Sequence, residues 1–290
     1  MTQVAFGVII FLDIMIRKGA LMKRLSHYKN TSMTELRELI RGEVRFSVLY
    51  DILGGDCNDI FTDGEEIIIC YSEAPYPVWI WCGDGRSMKN LFAIGECIKN
   101  HFPLSEYNVI LDGEIIYRLS EIDEYFASYK VKTELFAYRL DSMNPLATIA
   151  DGVMQLADMD DLDTLAPMWQ DSAFEMEGYE FPITQCQEEV GYMIWDDRLY
   201  IWRDENGEIV AMANKGCIGE FGKVAAVYTE PKHRRKGYAL NLVAGITKLI
   251  LDEGLVPVLY TDGGYSASNK CYKKIGYKQV GRLLMVNKKV

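Results

Sequence analysis

Hydrophobic positions along the first half of the chain fall into two spacings, which predict a mixture of helices and strands. Helical spacing at 34–41 and 88–100 predicts two helices. Short apolar runs between turn residues predict strands at 66–71, 78–81 and 107–111. A strand, helix, strand succession of this kind is typical of an α/β fold.

The second half continues the same alternation with clearer boundaries. A polar turn at 205–208 separates two strand-like runs and predicts a hairpin. Gly254 closes the most apolar helical segment. The predicted strands lie at 153–156, 199–203, 209–213, 223–229, 255–261 and 277–286, and the predicted helices at 160–170, 185–195, 238–252 and 266–275.

The length of 290 residues predicts two domains. Asn144-Pro145 favours a non-helical connection, so the boundary is expected there, between an α/β domain at 22–145 and a second domain at 146–290.

Residues 1–21 form an N-terminal extension. They are either a first element packed on the protein or an upstream stretch ahead of a start at Met22. The apolar run from Val4 to Ile16 precedes Arg17 and Lys18, the reverse of a secretory signal. It is also shorter than the about 20 residues that span a bilayer, so no membrane association is expected.

Composition and charge narrow the function classes. Hydrophobic residues make up 49% and charged residues 25% of the chain, as in folded proteins. The net charge of −11 argues against a nucleic-acid-binding protein. From Lys223 to Val290, however, 13 Lys and Arg stand against 4 Asp and Glu, which leaves −20 on the remainder. The C-terminal quarter is therefore expected to meet an anion.

The seven cysteines are scattered, with no CxxC pair and no metal-ligand spacing. They indicate reduced thiols and a cytoplasmic protein, and no metal is implied. A cysteine nucleophile would need a basic partner. The whole chain has only three histidines, His27, His101 and His233, which argues against that chemistry.

The basic turn before the predicted helix at 238–252 is the sharpest chemical feature. A helix start offers free backbone N–H groups and the positive end of a dipole, which suits a pyrophosphate. Gly237 lets a phosphate approach the backbone, and Ala239 keeps the next turn shallow. The alternative is a solvated basic turn. Three side chains add positive charge at the rim: Arg234, Arg235 and Lys236.

Residues 234–239 match the acyl-CoA signature of the GNAT superfamily, which is Arg or Gln, two residues, Gly, one residue, then Gly or Ala. The strand at 227–229, followed by Pro231, resembles the family's bulged fourth strand. Residues 268–277 resemble its second signature, an Asn followed by Tyr and then by Gly and an aromatic residue. The chain thus resembles a GNAT acyltransferase over 153–286, which implies the GNAT fold, a mixed central sheet flanked by helices.

The resemblance implies roles for particular residues. Backbone N–H groups around Arg235 to Ala239 would hold the pyrophosphate of acetyl-CoA, Val227 and Thr229 would hold the pantetheine, and Asn269 would lie beside it. Tyr272 would protonate the departing thiolate; the alternative is a core aromatic that faces Leu259. The implied cofactor-binding set is Val227, Tyr228, Thr229, Arg234, Arg235, Lys236, Gly237, Tyr238, Ala239 and Asn269.

The general base departs from the family pattern. GNAT enzymes often place a Glu on the fourth strand, and the run at 223–229 has none. A carboxylate elsewhere could relay a proton through water or bind a cationic amine. The candidates are Glu220, Asp262, Glu175, Glu177 and Glu180, and the alternative, favoured for each taken singly, is a plain surface carboxylate.

The N-terminal half has no acyl-CoA signature. Gly83-Asp84-Gly85-Arg86 follows a predicted strand and precedes a predicted helix. The half is either a degenerate GNAT-like copy, as in two-domain members that resemble glycine N-acyltransferases, or an unrelated α/β domain.

The expected function is an N-acetyltransferase that moves an acetyl or short acyl group from acyl-CoA to a small amine or a peptide amine by direct attack. The alternative is a catalytically weak, acyl-CoA-binding regulatory protein. The acidic remainder of the chain leads to the hypothesis of a cationic acceptor. The oligomeric state stays open.

Overall fold

A computed structural model describes residues 23–25, 30–55, 59–83, 87–178 and 180–288. The extension expected at 1–21 and the residues Asp84, Gly85 and Arg86 lie outside the described residues. Helices and strands are mixed throughout, so the α/β prediction is confirmed. In the part of the chain that is described, no helix combines the length and the apolar character needed to cross a membrane.

The chain divides into two compact units. Unit 1 comprises Met1–Leu135 and Arg282–Val290, and unit 2 comprises Phe136–Gly281. The division therefore falls inside a strand, about ten residues before the expected boundary at 145. The segment around Asn144 belongs to unit 2, because the Asn144 amide N–H donates to the Ile275 carbonyl at 2.8 Å and its side chain donates to the Lys274 carbonyl at 3.2 Å.

Unit 1 contains strands on which helices pack from both faces. Strands β1 to β4 pair in antiparallel order, β5 is parallel to β4, and Leu284–Val286 pair antiparallel with β5. Its elements are β1 Lys23–Leu25, α1 Asn30–Leu39, α2 Val48–Ile52, β2 Asp59–Thr62, β3 Ile67–Tyr71, β4 Val78–Cys82, α3 Met88–His101, β5 Val109–Leu111, α4 Gly113–Ile122 and the beginning of β6 Lys130–Arg139.

The strands of unit 1 bury both of their faces. Ile67 and Ile80 contact one apolar cluster together with residues of α3 and α4. Ile68 and Trp81 contact a second cluster together with residues of α1 and α2. Because successive strand residues point to opposite faces, continuous apolar runs mark strands covered on both sides.

Unit 2 repeats this construction. Strands β7 to β10 pair in antiparallel order, and β11 is parallel to β10. Its elements are β7 Val153–Leu156, α5 Leu162–Glu177, α6 Ile183–Trp195, β8 Leu199–Arg203, β9 Ile209–Ile218, β10 Phe221–Thr229, α7 Tyr238–Asp252, β11 Val256–Asp262, α8 Ser266–Ile275 and the beginning of β12 Lys278–Asn287.

In unit 2, too, apolar clusters cover both faces of the strands. One cluster, with Leu242, Ile246 and Leu259, packs beneath α7 and α8. The other, with Leu165, Val190 and Met212, packs beneath α5 and α6.

The two units share one order of elements. Each has a strand, two helices, three antiparallel strands, a helix, a strand parallel to the third, a helix and a strand. The sequence predicted this order for unit 2. In unit 1 it missed β1, α2, β2, α4 and β6, which are short or lack a clear period.

Candidate functional site

Strands β10 and β11 pair only where they begin. The parallel ladder joins Phe221–Lys223 with Val256–Val258, whereas β10 continues to Thr229 and β11 to Asp262. A β-bulge interrupts the pairing of β10 with β9 between Ala225 and Tyr228. The second half of β10 therefore presents an edge on the β11 side with no ladder to β11, and such an edge can pair with a ligand.

The residues predicted to hold the pantetheine arm lie on this open edge. Ala226, inside the bulge, has a positive φ of 49°, and Val227 and Thr229 follow it. The Thr229 hydroxyl oxygen is buried and has no hydrogen-bond partner among the described residues. A buried hydroxyl without a partner costs free energy, so a polar ligand that reaches it would be stabilised.

The strand leads into an uncapped helix start. A short 3-10 turn at Pro231–His233 is followed by Arg235 with φ 66° and Gly237 with φ 94°, and α7 then begins at Tyr238. No side chain caps α7. The first N–H groups of a helix have no intrahelical acceptor, so the predicted pyrophosphate cradle has donors to offer.

Gly237 is required chiefly for its conformation. A Cβ at this position would lie 3.6 Å from the Asn241 side-chain nitrogen, an ordinary contact, but the positive φ would strain any other residue. The Asn241 side chain donates to the Gly237 carbonyl at 3.0 Å and fixes the turn. The sequence interpretation missed Asn241, which nothing in the pattern distinguishes from a core residue of α7.

The three basic residues of the turn differ in their surroundings. Arg235 and Lys236 are exposed, as expected for charges on the rim. Arg234 instead points into unit 2, where its Nε donates to the Thr229 carbonyl at 2.8 Å and its Nη2 to Glu175 at 2.6 Å. Its guanidinium also lies 5.5 Å from the centre of the Tyr228 ring. Arg234 therefore fixes the end of β10 and the turn to α5.

The Tyr238 side chain is buried, so only the backbone of this residue is available to the predicted cradle. Its side chain is buried at 3% exposure, and burial together with a hydrogen bond to Asp151 raises the pKa of Tyr238 to about 12. Ala239, the next predicted residue, is half-buried in the first turn of α7. The phenol of Tyr238 anchors the helix start, and the N–H groups remain available for an anion.

An ion cluster supports the turn from the other side. Lys232 contacts the Glu208 carboxylate and lies 3.2 Å from Glu230, and the Nε2 atom of His233 lies 3.4 Å from Glu208. Glu208, Glu230 and His233 form a group of potential metal ligands within the described part of the chain. Because the Lys232 ammonium contacts both carboxylates, we interpret this cluster as ion pairs that hold the turn.

Tyr272 combines a packed ring with an unpaired hydroxyl. Its ring is 7% exposed, belongs to the same cluster as Leu259, and lies 6.2 Å from the rings of Tyr138 and Tyr277. Its hydroxyl donates no hydrogen bond to any residue that the structure describes. Burial raises the pKa of Tyr272 far above its ordinary value, so the group is protonated at neutral pH. The core reading and the acid reading of this residue are therefore compatible.

The Asn269 side chain is fully used inside the protein. Its oxygen accepts from the Tyr138 hydroxyl at 2.9 Å, and its nitrogen donates to the carbonyls of Asp262 and Tyr265 at 2.9 Å each. Asn269 thus holds the loop that connects β11 to α8. Tyr138, in β6, was not predicted as part of the site, because its partner lies 131 residues away in the chain.

The carboxylates that were candidates for the general base lie at different distances from the open edge of β10 or have different partners. Glu220 precedes the paired end of β10, roughly 30 Å along the strand from Thr229, so it lies away from the open edge. Asp262 ends β11 at the open end, and its side chain accepts from the Gly264 N–H at 2.7 Å. Glu175 is paired with Arg234, and Glu180 is exposed. The Glu177 side chain lies outside the described residues.

Tyr228 faces α5 and α6, where the sequence interpretation did not place it. It is 4% exposed and packs with Leu165 and Met212. Burial raises the pKa of Tyr228, and the charges of Asp171 and Glu175 raise it further. Asp171 and Glu175 are four residues apart, so they lie on one face of α5. Asp171 was not among the predicted candidates.

The family model described as FR47-like protein matches residues 202–285, which include β10, the cradle and α8. No curated protein is matched.

Solved structures cover nearly the whole chain. A GCN5-related N-acetyltransferase from Sphaerobacter thermophilus has a TM-score of 0.63 at 15% identity, over 91% of this chain and 94% of that chain. A GNAT-family acetyltransferase from Colwellia psychrerythraea has a TM-score of 0.59 at 13% identity, over 91% and 99%. A GCN5-related N-acetyltransferase-like protein from Streptococcus suis has a TM-score of 0.53 at 17% identity, over 89% and 98%.

Proposed function

Because this chain has the GNAT acyltransferase fold, we propose that unit 2 transfers an acetyl or short acyl group from acyl-CoA to an amine. One observation carries the proposal: the unpaired edge of β10 leads through a short turn into the uncapped start of α7 at Gly237. An extended thiol ester fits a strand edge, and a pyrophosphate fits a helix start. The extended arm of acyl-CoA thus matches the edge of β10, and its pyrophosphate matches the start of α7.

The residues present fit acyl-CoA in detail. The N–H groups from Arg235 to Ala239 would hold the pyrophosphate, with Arg235 and Lys236 as exposed counter-charges. Val227 and Thr229 would hold the pantetheine through their backbone groups, and the buried Thr229 hydroxyl would gain a partner there.

In the proposed reaction the neutral amine attacks the thioester carbonyl and the C–S bond breaks. The departing thiolate takes a proton from the Tyr272 hydroxyl, and the tyrosinate is reprotonated from solvent. The amine loses its own proton to water. The raised pKa of Tyr272 keeps it a proton donor across the neutral range. Asn269 and Tyr138 act by holding the loop that precedes α8.

A second candidate is an acyl-CoA-binding regulatory protein with little turnover. It is favoured by the absence of a carboxylate side chain on β10. The Tyr272 hydroxyl favours the enzyme, because its raised pKa keeps it protonated and no hydrogen bond to a described residue takes up its proton.

We further propose that residues 22–145 form a degenerate GNAT-like domain that does not bind acyl-CoA. The shared element order supports a common origin for the two units. Side chains already make hydrogen bonds at the start of α3. The Ser87 side chain accepts from the Asn90 N–H, and the Asn90 side chain donates to Glu66 at 2.6 Å. One acyl-CoA per chain is expected.

The test is isothermal titration of the full chain with acetyl-CoA, followed by thiol release across a panel of amines. Gly237→Glu should weaken acetyl-CoA binding by more than about 100-fold, because it adds a negative charge and backbone strain at the cradle. Gly254→Glu is the matched control. Gly254 also has a positive φ, 75°, with open space around it, at the opposite end of α7.

Each outcome decides between the candidates. Binding with thiol release supports an acyltransferase, and binding without release on any amine supports the regulatory protein. An equal loss of affinity in Gly237→Glu and Gly254→Glu would remove the cradle assignment, because the loss would then follow from strain alone. A stoichiometry of two per chain would overturn the proposal for the N-terminal unit.

A further inference from the structure

A buried histidine without hydrogen bonds lies beside two carboxylates in the turn that precedes the cradle. His233 is 8% exposed, and neither of its ring nitrogens makes a hydrogen bond to a residue that the structure describes. Its Nε2 atom lies 3.4 Å from the Glu208 carboxylate, outside hydrogen-bonding geometry. One ligand atom each from His233, Glu208 and Glu230 all lie within 4.8 Å of one another. The imidazole therefore lacks the partner that a buried polar ring normally has.

The two carboxylates of this group already attract a cation. The Lys232 ammonium contacts Glu208 and lies 3.2 Å from Glu230. His233 gains no hydrogen bond from it. The Lys232 side chain is 60% exposed, so it can turn into solvent with little loss of free energy. The ammonium thus pairs with two of the three groups, whereas a cation that also accepts a nitrogen lone pair would bind all three.

The spacing of the His233 and Glu208 atoms is that of two ligands on one metal ion. Zn²⁺ binds imidazole nitrogen and carboxylate oxygen at about 2.0–2.2 Å, so two ligands of a tetrahedral site lie about 3.4 Å apart. The distance from Nε2 of His233 to Oε2 of Glu208 is 3.4 Å. The Glu230 carboxylate has to come closer, and its side chain is 26% exposed and can rotate. A set of one imidazole and two carboxylates suits Zn²⁺ and similar ions, whereas Mg²⁺ prefers oxygen ligands and water.

The three ligands come from two segments that the fold of unit 2 brings together. Glu208 ends the hairpin turn between β8 and β9, where its N–H donates to the Asp204 carboxylate at 2.9 Å. Glu230 and His233 belong to the turn between β10 and α7, where the His233 N–H donates to the Glu230 carbonyl at 2.8 Å. Because Glu208 and Glu230 are 22 residues apart, no local motif predicted the group.

We propose that His233, Glu208 and Glu230 bind a divalent transition-metal ion of the Zn²⁺ class in place of the Lys232 ammonium. The Nε2 lone pair and one oxygen of each carboxylate are the protein ligands, and water completes the coordination. The ion joins the hairpin to the turn before the cradle more firmly than the ion pairs do, because it also engages the buried imidazole. The site uses no residue assigned to acyl-CoA, so its test is independent of the proposed acyl transfer.

The experiment is isothermal titration of the tag-free full chain with zinc chloride, with magnesium chloride as the comparison. One Zn²⁺ should bind per chain, and Mg²⁺ should bind at least about 100-fold more weakly. Glu208→Gln should weaken Zn²⁺ binding by more than about tenfold, because it removes a charged ligand. The matched control is Glu205→Gln, an exposed carboxylate of the same hairpin turn that lies outside the ligand group, and it should leave the affinity unchanged.

Lys232→Gln tests the competition between the ammonium and the metal ion. It should strengthen Zn²⁺ binding about fivefold, the range expected when two exposed ion pairs no longer have to be broken. Lys248→Gln removes an exposed charge that pairs with Asp252 at the far end of α7. It controls for the change in net charge and should have no comparable effect.

The ring ¹⁵N signals of histidine report on the imidazole without any substitution of the buried ring. The chain has three histidines, and Zn²⁺ should shift the ring signals of one of them in the wild type and of none in Glu208→Gln. Three results would overturn the inference: no Zn²⁺ binding by the wild type, equal affinity in Glu208→Gln and the wild type, or an affinity that falls in Lys232→Gln.

Discussion

In unit 1 a side chain caps the start of the helix that follows β4, whereas in unit 2 no side chain caps the start of the helix that follows β10. Ser87 caps α3, and the Glu66 carboxylate accepts a hydrogen bond from the Asn90 side chain in the first turn of α3. At α7 the corresponding place is taken by Gly237, with Arg235 and Lys236 exposed beside it. A helix start can satisfy its N–H groups internally or leave them to an anion, and the same element order has been used for both.

The strands before these two helices also differ in how much of their backbone is accessible. β4 pairs with β3 in unbroken register, and all five of its side chains are buried, including Trp79 and Trp81. β10 carries small residues, Ala225 and Ala226, at a bulge. A regular, fully packed strand stabilises a core, and a bulged strand with small side chains leaves backbone accessible. In unit 1 this strand is thus packed into the core, and in unit 2 part of the corresponding strand has an accessible edge.

The largest effect that would distinguish unit 2 from unit 1 is expected from a substitution at Tyr272, and it is an effect on kcat. Tyr272→Phe should lower kcat about 100-fold, because it removes the proton donor for the leaving thiolate, and should leave acetyl-CoA affinity within about twofold. The measurement is steady-state thiol release together with titration. Since the pKa of Tyr272 is raised above its ordinary value near 10, the wild-type kcat should not fall on the alkaline side until about pH 10 is passed.

Tyr277→Phe is the control for Tyr272→Phe. The Tyr277 hydroxyl lies 2.9 Å from the Thr247 hydroxyl in the same core cluster. Its loss should cost about 1 kcal/mol of stability and leave kcat unchanged. Equal losses of kcat in the two variants would mean that packing, and not proton donation, explains the Tyr272 effect.

A smaller effect is expected at the rim of the cradle. Replacing both Arg235 and Lys236 with Gln should weaken acetyl-CoA binding about tenfold at low salt, and less at high salt, since both charges are exposed. Replacing Lys273 and Lys274 with Gln removes two charges from the last turn of α8 and should leave affinity unchanged. If both double variants behave alike, the effect comes from net charge and not from the cradle.

The smallest effect is expected at the helix start of unit 1. Ser87→Ala removes the side-chain cap of α3 and should cost about 1 kcal/mol in the free energy of unfolding, measured by denaturant titration. Acetyl-CoA affinity should not change. A loss of affinity would contradict the view that α3 is capped from within and binds no acyl-CoA.

How far the sequence predicted the site depended on how local each feature was. The strand, turn and helix at 223–252 could be predicted because Gly237 and its basic neighbours are contiguous and the helix has a strong period. The orientation of Arg234 could not, because its partners Thr229 and Glu175 lie 5 and 59 residues away. Asn269 was predicted beside the ligand, which stays a prediction, and its hydrogen bonds that hold the loop before α8 could not be read from the sequence.

The unit boundary shows the same limit. Asn144-Pro145 has the local chemistry of a connection, yet residues 142–144 pack against the end of α8, where a Cβ on Gly276 would lie 2.6 Å from the Ser142 carbonyl. β6 and β12 are each divided between the two units. Contacts between distant residues decide which unit a segment belongs to, and no window of sequence contains them.

By itself, the sequence determined the α/β class, the order of elements in unit 2 and the helix start that suits an anion, because periodicity, glycine and charge act within a few residues. Only the tertiary structure decided that β10 separates from β11, that the Tyr272 ring is buried, and that Arg234 pairs with Glu175. These facts depend on which side chains the packed core brings together and on the electrostatic surroundings that burial creates.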